Sequence, residues 1–269
     1  MLNIVVLIKQ VPNTTQVKID PETNNLVREG VPSILNPYDL YAIEEALLLK
    51  EQYGARVTAL SMGPKQGLEV IKYALAMGAD AGILLSDYAF AGSDTLATSY
   101  TISAALSRLG QVDIVLCGKQ AADGDTAQVP AELAEHLDMG CLTYVSRIFS
   151  ILEGKIIAER VLDFANVKAE STLPVVLTLN KGINDPRLPR LKDMVRAMYI
   201  QAEILTAADL PLDKTRISLS GSPTQVIKVF TPERKKASIR LEGLASEQVA
   251  SLISELERRE IIQGKEERI

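Results

Sequence analysis

The sequence predicts an α/β fold: a doubly wound, mostly parallel sheet with an antiparallel extension and a C-terminal arm. Three observations lead there. Short apolar runs rich in β-branched residues alternate with amphipathic segments through the first half of the chain, the pattern of strands buried on both faces between crossover helices. A small polar turn follows each of those runs. After His136 the alternation gives way to successive strand-like runs joined by a hairpin turn.

Bulk properties bound the rest. The 269 residues, 47% hydrophobic and 23% charged, suit a globular chain of one large domain plus an appendage. The expected division is an α/β domain over 1–204 and an arm over 205–269. A formal net charge of -5 without a Lys/Arg-rich face speaks against a nucleic-acid partner. Cys117 and Cys141 sit in or beside apolar runs and read as small buried hydrophobes. The start, Met1-Leu2-Asn3-Ile4, enters a strand without a basic leader. No apolar run approaches the ~20 residues that span a bilayer. No membrane insertion and a cytoplasmic location are expected.

The elements run in order. Leu2 to Ile8 is a central strand, ended by Lys9-Gln10-Val11-Pro12-Asn13. Val17-Lys18-Ile19 and Leu26-Val27-Arg28 flank a loop of turn formers, a hairpin signature. Asn36-Pro37-Tyr38-Asp39 opens a helix, with Asn36 able to cap, Pro37 in the first turn and Asp39 at the positive dipole end. Gly54 stops it. Arg56 to Ser61 is a strand, Lys65 to Met77 a helix, Ala81 to Leu85 a strand. The turn Ser86 to Thr95 opens a helix running to Leu109-Gly110, and Val112 to Leu116 is the fourth strand. Beyond the helix around Ala131 to Leu137, strands are expected over 141–151, 155–164 and 171–179, with Glu153-Gly154 turning the first pair. Asn184 to Leu191 is a loop, and Lys192 to Tyr199 a short helix. Residues 204–221 are turn-rich, 226–230 a strand candidate, 231–236 a basic linker and 246–262 the last helix, ahead of a charged end at 264–269. The segment from about 205 is too thin to fold alone. It is either an arm laid on another subunit, the preferred account, or a lid on its own domain.

The stretch Cys117 to His136 carries the clearest chemistry. A strand, a small polar turn and a helix start present unpartnered N–H groups and a favourable dipole to an anion. Pro130 lacks an N–H and pushes Val129 off helical angles, which leaves 124–129 an irregular turn. Neither G-x-G-x-x-G nor G-x-x-x-x-G-K-[ST] occurs. A nucleotide cradle therefore stands beside a plain strand-to-helix connection, and Asp125 and Gln128 have capping-box spacing. Gly92-Ser93-Asp94-Thr95 offers the same pair of readings, a second wall of the site or a simple helix cap. Lys9 either faces a ligand or lies on the surface. His136 is a packing or solvated residue, since no second histidine exists to share a metal. All these turns follow strand carboxyl ends, the edge where ligands bind in such sheets. Binding features without an acid–base set point to a cofactor that carries the chemistry.

These residues resemble the β subunit of electron transfer flavoproteins over nearly the full length. The motifs are Ile8-Lys9-Gln10-Val11-Pro12, Asn36-Pro37-Tyr38-Asp39 with Glu44-Glu45-Ala46, Ala74-Leu75-Ala76-Met77-Gly78-Ala79-Asp80, Gly118-Lys119-Gln120-Ala121 and Asn184-Asp185-Pro186-Arg187. The resemblance implies an adenine-nucleotide-binding, Rossmann-like domain, an αβ heterodimer, and an arm on the α subunit. Housekeeping members hold a structural AMP in β and the only flavin in α. Here Asp123-Gly124-Asp125 replaces their Asp-Asp-Asp, and Phe90-Ala91-Gly92-Ser93-Asp94-Thr95 is present. Both look like the electron-bifurcating branch, whose β subunit holds FAD. Gly124 removes a charge beside the pyrophosphate, and Gly92 is expected to clear space for the larger ligand.

The implied cofactor set is Lys9, Asn36, Met62, Asp87, Phe90, Gly92, Ser93, Asp94, Thr95, Cys117, Gly118, Gln120, Ala121, Asp123, Gly124, Asp125, Thr126, Ala127, Gln128 and Val129, with no catalytic side chain and no metal. NADH would reduce the β-subunit FAD. One electron would pass to ferredoxin and the other, through the α-subunit FAD, to an acyl-CoA or hydroxy-acid dehydrogenase. Arg190, Leu191 and Met194 would dock that partner, with Leu191 the anchoring leucine; the other reading of Leu191 is a core residue among surface charges. An AMP-holding scaffold and a non-redox ATP- or AMP-binding sensor are the other readings. An adenylating ligase has no support, because no Ser-Gly-Gly-x-Asp-Ser run occurs.

Overall fold

A computed structural model describes residues 1–13, 18–19, 26–27, 32–225, 227 and 238–262. The expected loop at 20–25, the linker at 231–236, the end at 264–269 and nearly all of the strand candidate at 226–230 lie outside them. The chain divides into two compact units, Met1–Val229 and Phe230–Ile269. The first unit includes the turns after residue 205, where the Ala207 N–H donates to Asp87 and Ser218 Oγ to the Ala91 carbonyl.

In the first unit the strands are β1 (Asn3–Leu7), β2 (Gln10–Pro12), β3 (Lys18–Ile19), β4 (Leu26–Val27) and β5 (Ser33–Leu35), followed by helix α1 (Pro37–Tyr53). Then come β6 (Arg56–Met62), α2 (Leu68–Met77), β7 (Ala81–Leu85), α3 (Thr95–Arg108), β8 (Ile114–Gly118) and α4 (Val129–His136). The chain continues through β9 (Gly140–Leu152), β10 (Lys155–Val161), β11 (Asn166–Thr172), β12 (Val175–Leu179), α5 (Leu191–Tyr199) and β13 (Glu203–Leu205). Nine strands form one sheet in the order β11-β10-β9-β12-β8-β1-β6-β7-β13. The expected hairpin is present as the antiparallel pair β3 and β4.

Alternation along the strands builds two cores. Ile4 and Val6 of β1, with Ile114 and Leu116 of β8, face α1 and α2; Val5, Val115 and Cys117 face α3 and α4. A period of two sends alternate side chains to opposite faces, so a continuous apolar run feeds both. The chain winds from β1 through β6 to β7 on one side, then crosses to β8 on the other. The strand order therefore reverses between β1 and β8, and the carboxyl ends of β12, β8, β1, β6 and β7 share one edge.

Two expectations about the extension are corrected. The run 171–179 is not one strand. Pro174, without an N–H, separates β11, antiparallel to β10, from β12, which sits in the parallel sheet beside β8. The first extension strand, β9, is parallel to β12 and antiparallel only to β10. The second unit contains α6 (Ala245–Arg258), whose Leu244 N–H donates to Glu247 Oε2 at 2.8 Å. Val249, Leu252 and Ile253 of α6 are exposed.

Candidate functional site

The site is built at the reversal point. Asn36 does not cap its own helix, contrary to the capping expectation; α1 has no side-chain cap. Its Nδ2 donates to Asp39 Oδ1 at 2.8 Å and to the Gln120 carbonyl at 2.9 Å, and its Oδ1 accepts from the Ala122 N–H at 3.1 Å. A long-range partner has displaced the local one. Asn36 thus ties the start of α1 to the turn after β8.

Asp39 lies beneath that turn and is buried. It accepts from the Lys9 N–H at 2.8 Å. Burial pushes its carboxyl up to about 7, against the lowering effect of the N–H groups of Lys9, Asn36 and Gly118. Gly118 has a steric reason here. A side-chain carbon on it would lie 2.7 Å from the Tyr38 carbonyl carbon and would strike Asp39 Oδ1. The glycine allows α1 to close against β8.

The turn itself is open. Asp123, Gly124, Asp125 and Thr126 are exposed, and a side-chain carbon on Gly124 would meet nothing within 4 Å. Asp125 and Ala127 have left-handed φ values of 57° and 55°, a conformation that costs non-glycine residues of order 1 kcal/mol or more. Left- and right-handed residues in succession point backbone N–H groups into one concavity. Among the described residues, the N–H groups of Gly124, Thr126 and Ala127 find no protein acceptor. Of the two carboxylates, Asp123 is paired with Lys9 Nζ at 2.8 Å, and Asp125 accepts from Gln120 Nε2. The capping box that the spacing of Asp125 and Gln128 would allow is not formed. Gln128 Oε1 at 3.1 Å and Glu132 Oε1 at 3.0 Å instead share the one hydroxyl proton of Thr95.

The wall after β7 is held by a set of its own hydrogen bonds. Asp94 caps α3 by accepting from the Ala97 N–H, and also accepts from Thr224 Oγ1 at 2.7 Å. Asp87 accepts from the N–H groups of Ala89 and Ala207, bonds that hold its carboxyl below the usual range. Ser93 Oγ donates to the Phe90 carbonyl, and Phe90 is buried in the core. Gly92 has a φ of +76°, and a side-chain carbon there would lie 2.8 Å from Leu219. Cys117 is core, and Met62 is half-buried at the end of β6. The structure thus links Lys9, Asn36, Gln120, Asp123 and Asp125 into one group, and Thr95 and Gln128 into a second with Glu132.

Asp39 and Glu132 join the site without a functional signal in the sequence. The Asn36-x-x-Asp39 spacing is the available clue, and a helix start accounts for it equally well. His136 packs edge-on to Tyr100 with ring centroids 5.9 Å apart. Burial, then the nearby Arg216, lowers its pKa.

The residues 190–194 lie on α5 and just before it. Leu191 is 79% exposed and Met194 51%, and Arg190 pairs with Asp193 at 2.7 Å. Leu191 is therefore no core residue. Among the described residues no helix is long and apolar enough to cross a membrane.

Comparison with known proteins agrees with this architecture. The family model described as "Electron transfer flavoprotein domain" matches residues 23–210. The electron transfer flavoprotein subunit beta of Thermoanaerobacterium thermosaccharolyticum is 47% identical over 262 residues, covering 97% of this chain and 100% of that one. The caffeyl-CoA reductase-Etf complex subunit CarD of Acetobacterium woodii is 43% identical, covering 97% and 100%. Protein FixA of Azotobacter vinelandii is 43% identical, covering 88% and 86%. With a family model matching well over half of its length and relatives this similar end to end, the chain belongs to the electron transfer flavoprotein β-subunit family.

Proposed function

We propose that this chain is the FAD-binding β subunit of an electron-bifurcating flavoprotein, taking electrons from NADH and delivering them to ferredoxin and, through an FAD on the α subunit, to an acyl-CoA or hydroxy-acid dehydrogenase. The sheet is then an adenine-nucleotide-binding, Rossmann-like one, with its ligand at the reversal between β1 and β8. The observation that carries the reading is the turn at 123–127. Its N–H groups at 124, 126 and 127 have no acceptor among the described residues, the position beside Gly124 is open, and both carboxylates are engaged by Lys9 and Gln120. That donor set fits a pyrophosphate. The relative named as a subunit of a caffeyl-CoA reductase-Etf complex supports coupling to a CoA-ester enzyme.

When bound, FAD accepts a hydride from a nicotinamide and releases electrons singly. This chain's own residues bind and orient. The N–H groups of the turn hold the phosphates, and Asn36 fixes the turn against α1. Thr95, Gln128 and Glu132 join the wall after β7 to the start of α4. Arg190, Leu191 and Met194 form the docking face for the dehydrogenase, an apolar anchor with a charged rim. The exposed apolar residues of α6 rest on the α subunit, with 205–269 the preferred extent of the arm.

The second reading is AMP in the same phosphate cradle, with flavin on the α subunit alone; an N–H cradle for phosphate suits it equally. The two separate on a count. Purified heterodimer is denatured, and its flavin and AMP are quantified. Two FAD per heterodimer and no AMP is expected; one FAD with one AMP sinks the bifurcating reading. ATP binding by the isolated chain without flavin colour points to the sensor reading.

A further inference from the structure

We infer that Arg187 is a positioning residue: its fork-like grip on the buried Glu44 of α1 sets the pose in which α5 offers its apolar face. The inference rests on the docking reading of α5 and deepens it. Two sequence motifs without a role in the cofactor site, Glu44-Glu45 and Asn184-Asp185-Pro186-Arg187, are each other's partners. Arg187 Nε donates to Glu44 Oε2 at 2.9 Å and Nη2 to Oε1 at 2.8 Å, while the Arg187 N–H reaches Oε2 at 3.0 Å. Nη1 donates to Glu51 Oε1 at 2.6 Å. Asn184 Nδ2 donates to Glu45 Oε2 at 2.8 Å and to the Tyr41 carbonyl at 3.1 Å. The Glu44 side chain is 5% exposed. The loop before α5 is thus bolted along one side of α1.

The helix beyond this clamp depends on it. α5 has nine residues, too few to be stable by themselves in water. Its one buried residue is Ala197, and Arg196 Nη2 donates to the Leu75 carbonyl of α2 at 3.0 Å. Leu191, Met194, Val195 and Met198, at helical spacing i, i+3, i+4, i+7, are all exposed. The helix is therefore fixed through its rear contact with α2 and through its entry, while its apolar face stays free. Pro186 and Pro189 bracket Arg187 and Leu188, and each fixes its own φ. A stiff lever joins the clamp to Arg190. A bidentate fork fixes orientation as well as distance, which a lysine ammonium cannot do.

The test uses the assembled heterodimer with an acyl-CoA dehydrogenase as docking probe and dichlorophenolindophenol as a small acceptor that needs no docking. Arg187→Lys is expected to raise KM for the dehydrogenase roughly tenfold, with kcat, flavin per heterodimer and dye reduction unchanged. Leu191→Ala should show the same split. If Leu191→Ala raises KM and Arg187→Lys does not, the positioning role is wrong and docking stands. If neither raises KM, docking on α5 is wrong and the inference goes with it. Amide exchange over 188–199 should be faster in Arg187→Lys; unchanged protection overturns the inference. Should Arg187→Lys not assemble, Glu51→Gln removes only the exposed half of the clamp. A KM rise of about twofold is then expected, and no rise overturns the inference.

Discussion

Asp39 shows how one residue can couple the fold to pH. Its folded-state pKa of about 7 lies above its ordinary value of 3.8, with burial as the main cause. Between those values the folded chain holds a proton that the unfolded chain releases. The group's stabilising contribution is therefore full at the acid side and is lost as pH rises toward 7, by about 1.4 kcal/mol per pH unit within that window. Asp39→Asn is expected to flatten the stability profile between about pH 4 and 7, measured by urea unfolding at several pH values. An unchanged slope would show that Asp39 titrates normally. Gly118 makes the complementary steric prediction. With Tyr38 backbone 2.7 Å from where a side chain would begin, Gly118→Ala forces α1 from β8 and should cost about 1–3 kcal/mol. Wild-type unfolding midpoints in that variant would show that the contact yields freely.

At the scale of elements, the start of α3 is held by a cap that also reaches away from it. Asp94 accepts from the Ala97 N–H and from Thr224, so Asp94→Ala should cost about 1–2 kcal/mol and free the segment around 222–224. Faster amide exchange confined to the first turn of α3 and to 222–225 would confirm it; uniform loss across the domain would not. The caps also show how far local sequence reaches. Asp94 is legible as a cap because its partner is three residues away. Asn36 has the same local signature yet does not cap, because its partners, Gln120 and Ala122, are more than eighty residues away, and no local pattern encodes that. The parallel core is legible from apolar runs and turns. The place of β9 is not, since pairing direction is set by a distant strand and both directions suit the same residues. Pro174 is a visible signal for the break between β11 and β12, hidden by the apolar residues on either side. In the site, the turn at 117–129 is legible from glycines and polar residues. The neighbour of Gly92 is not, because Leu219 lies far along the chain.

Over the whole molecule, the division after Val229 falls inside the stretch 205–269 that is proposed as the arm on the α subunit. Both cores, the cradle and the Arg187 clamp lie within Met1–Val229. The turns between 207 and 222 belong to that unit as well, since Asp87 holds the Ala207 N–H and Ser218 Oγ donates to the Ala91 carbonyl at 2.7 Å. Among the described residues, the second unit has one helix, with Val249, Leu252 and Ile253 exposed, and an isolated amphipathic helix gains stability only by covering that face. Two cuts should then behave differently. A chain ending at Val229 is expected to unfold cooperatively and to bind the α subunit more weakly, by roughly a hundredfold if about 3 kcal/mol of apolar contact is lost. A chain ending at residue 204 should lose the brace on Asp87 and Ala91 and unfold at lower denaturant even without a partner. Equal α-subunit affinity for the Val229 chain and the full chain, by titration calorimetry, would place the heterodimer contact entirely within the first unit and leave 230–269 without its proposed part in it.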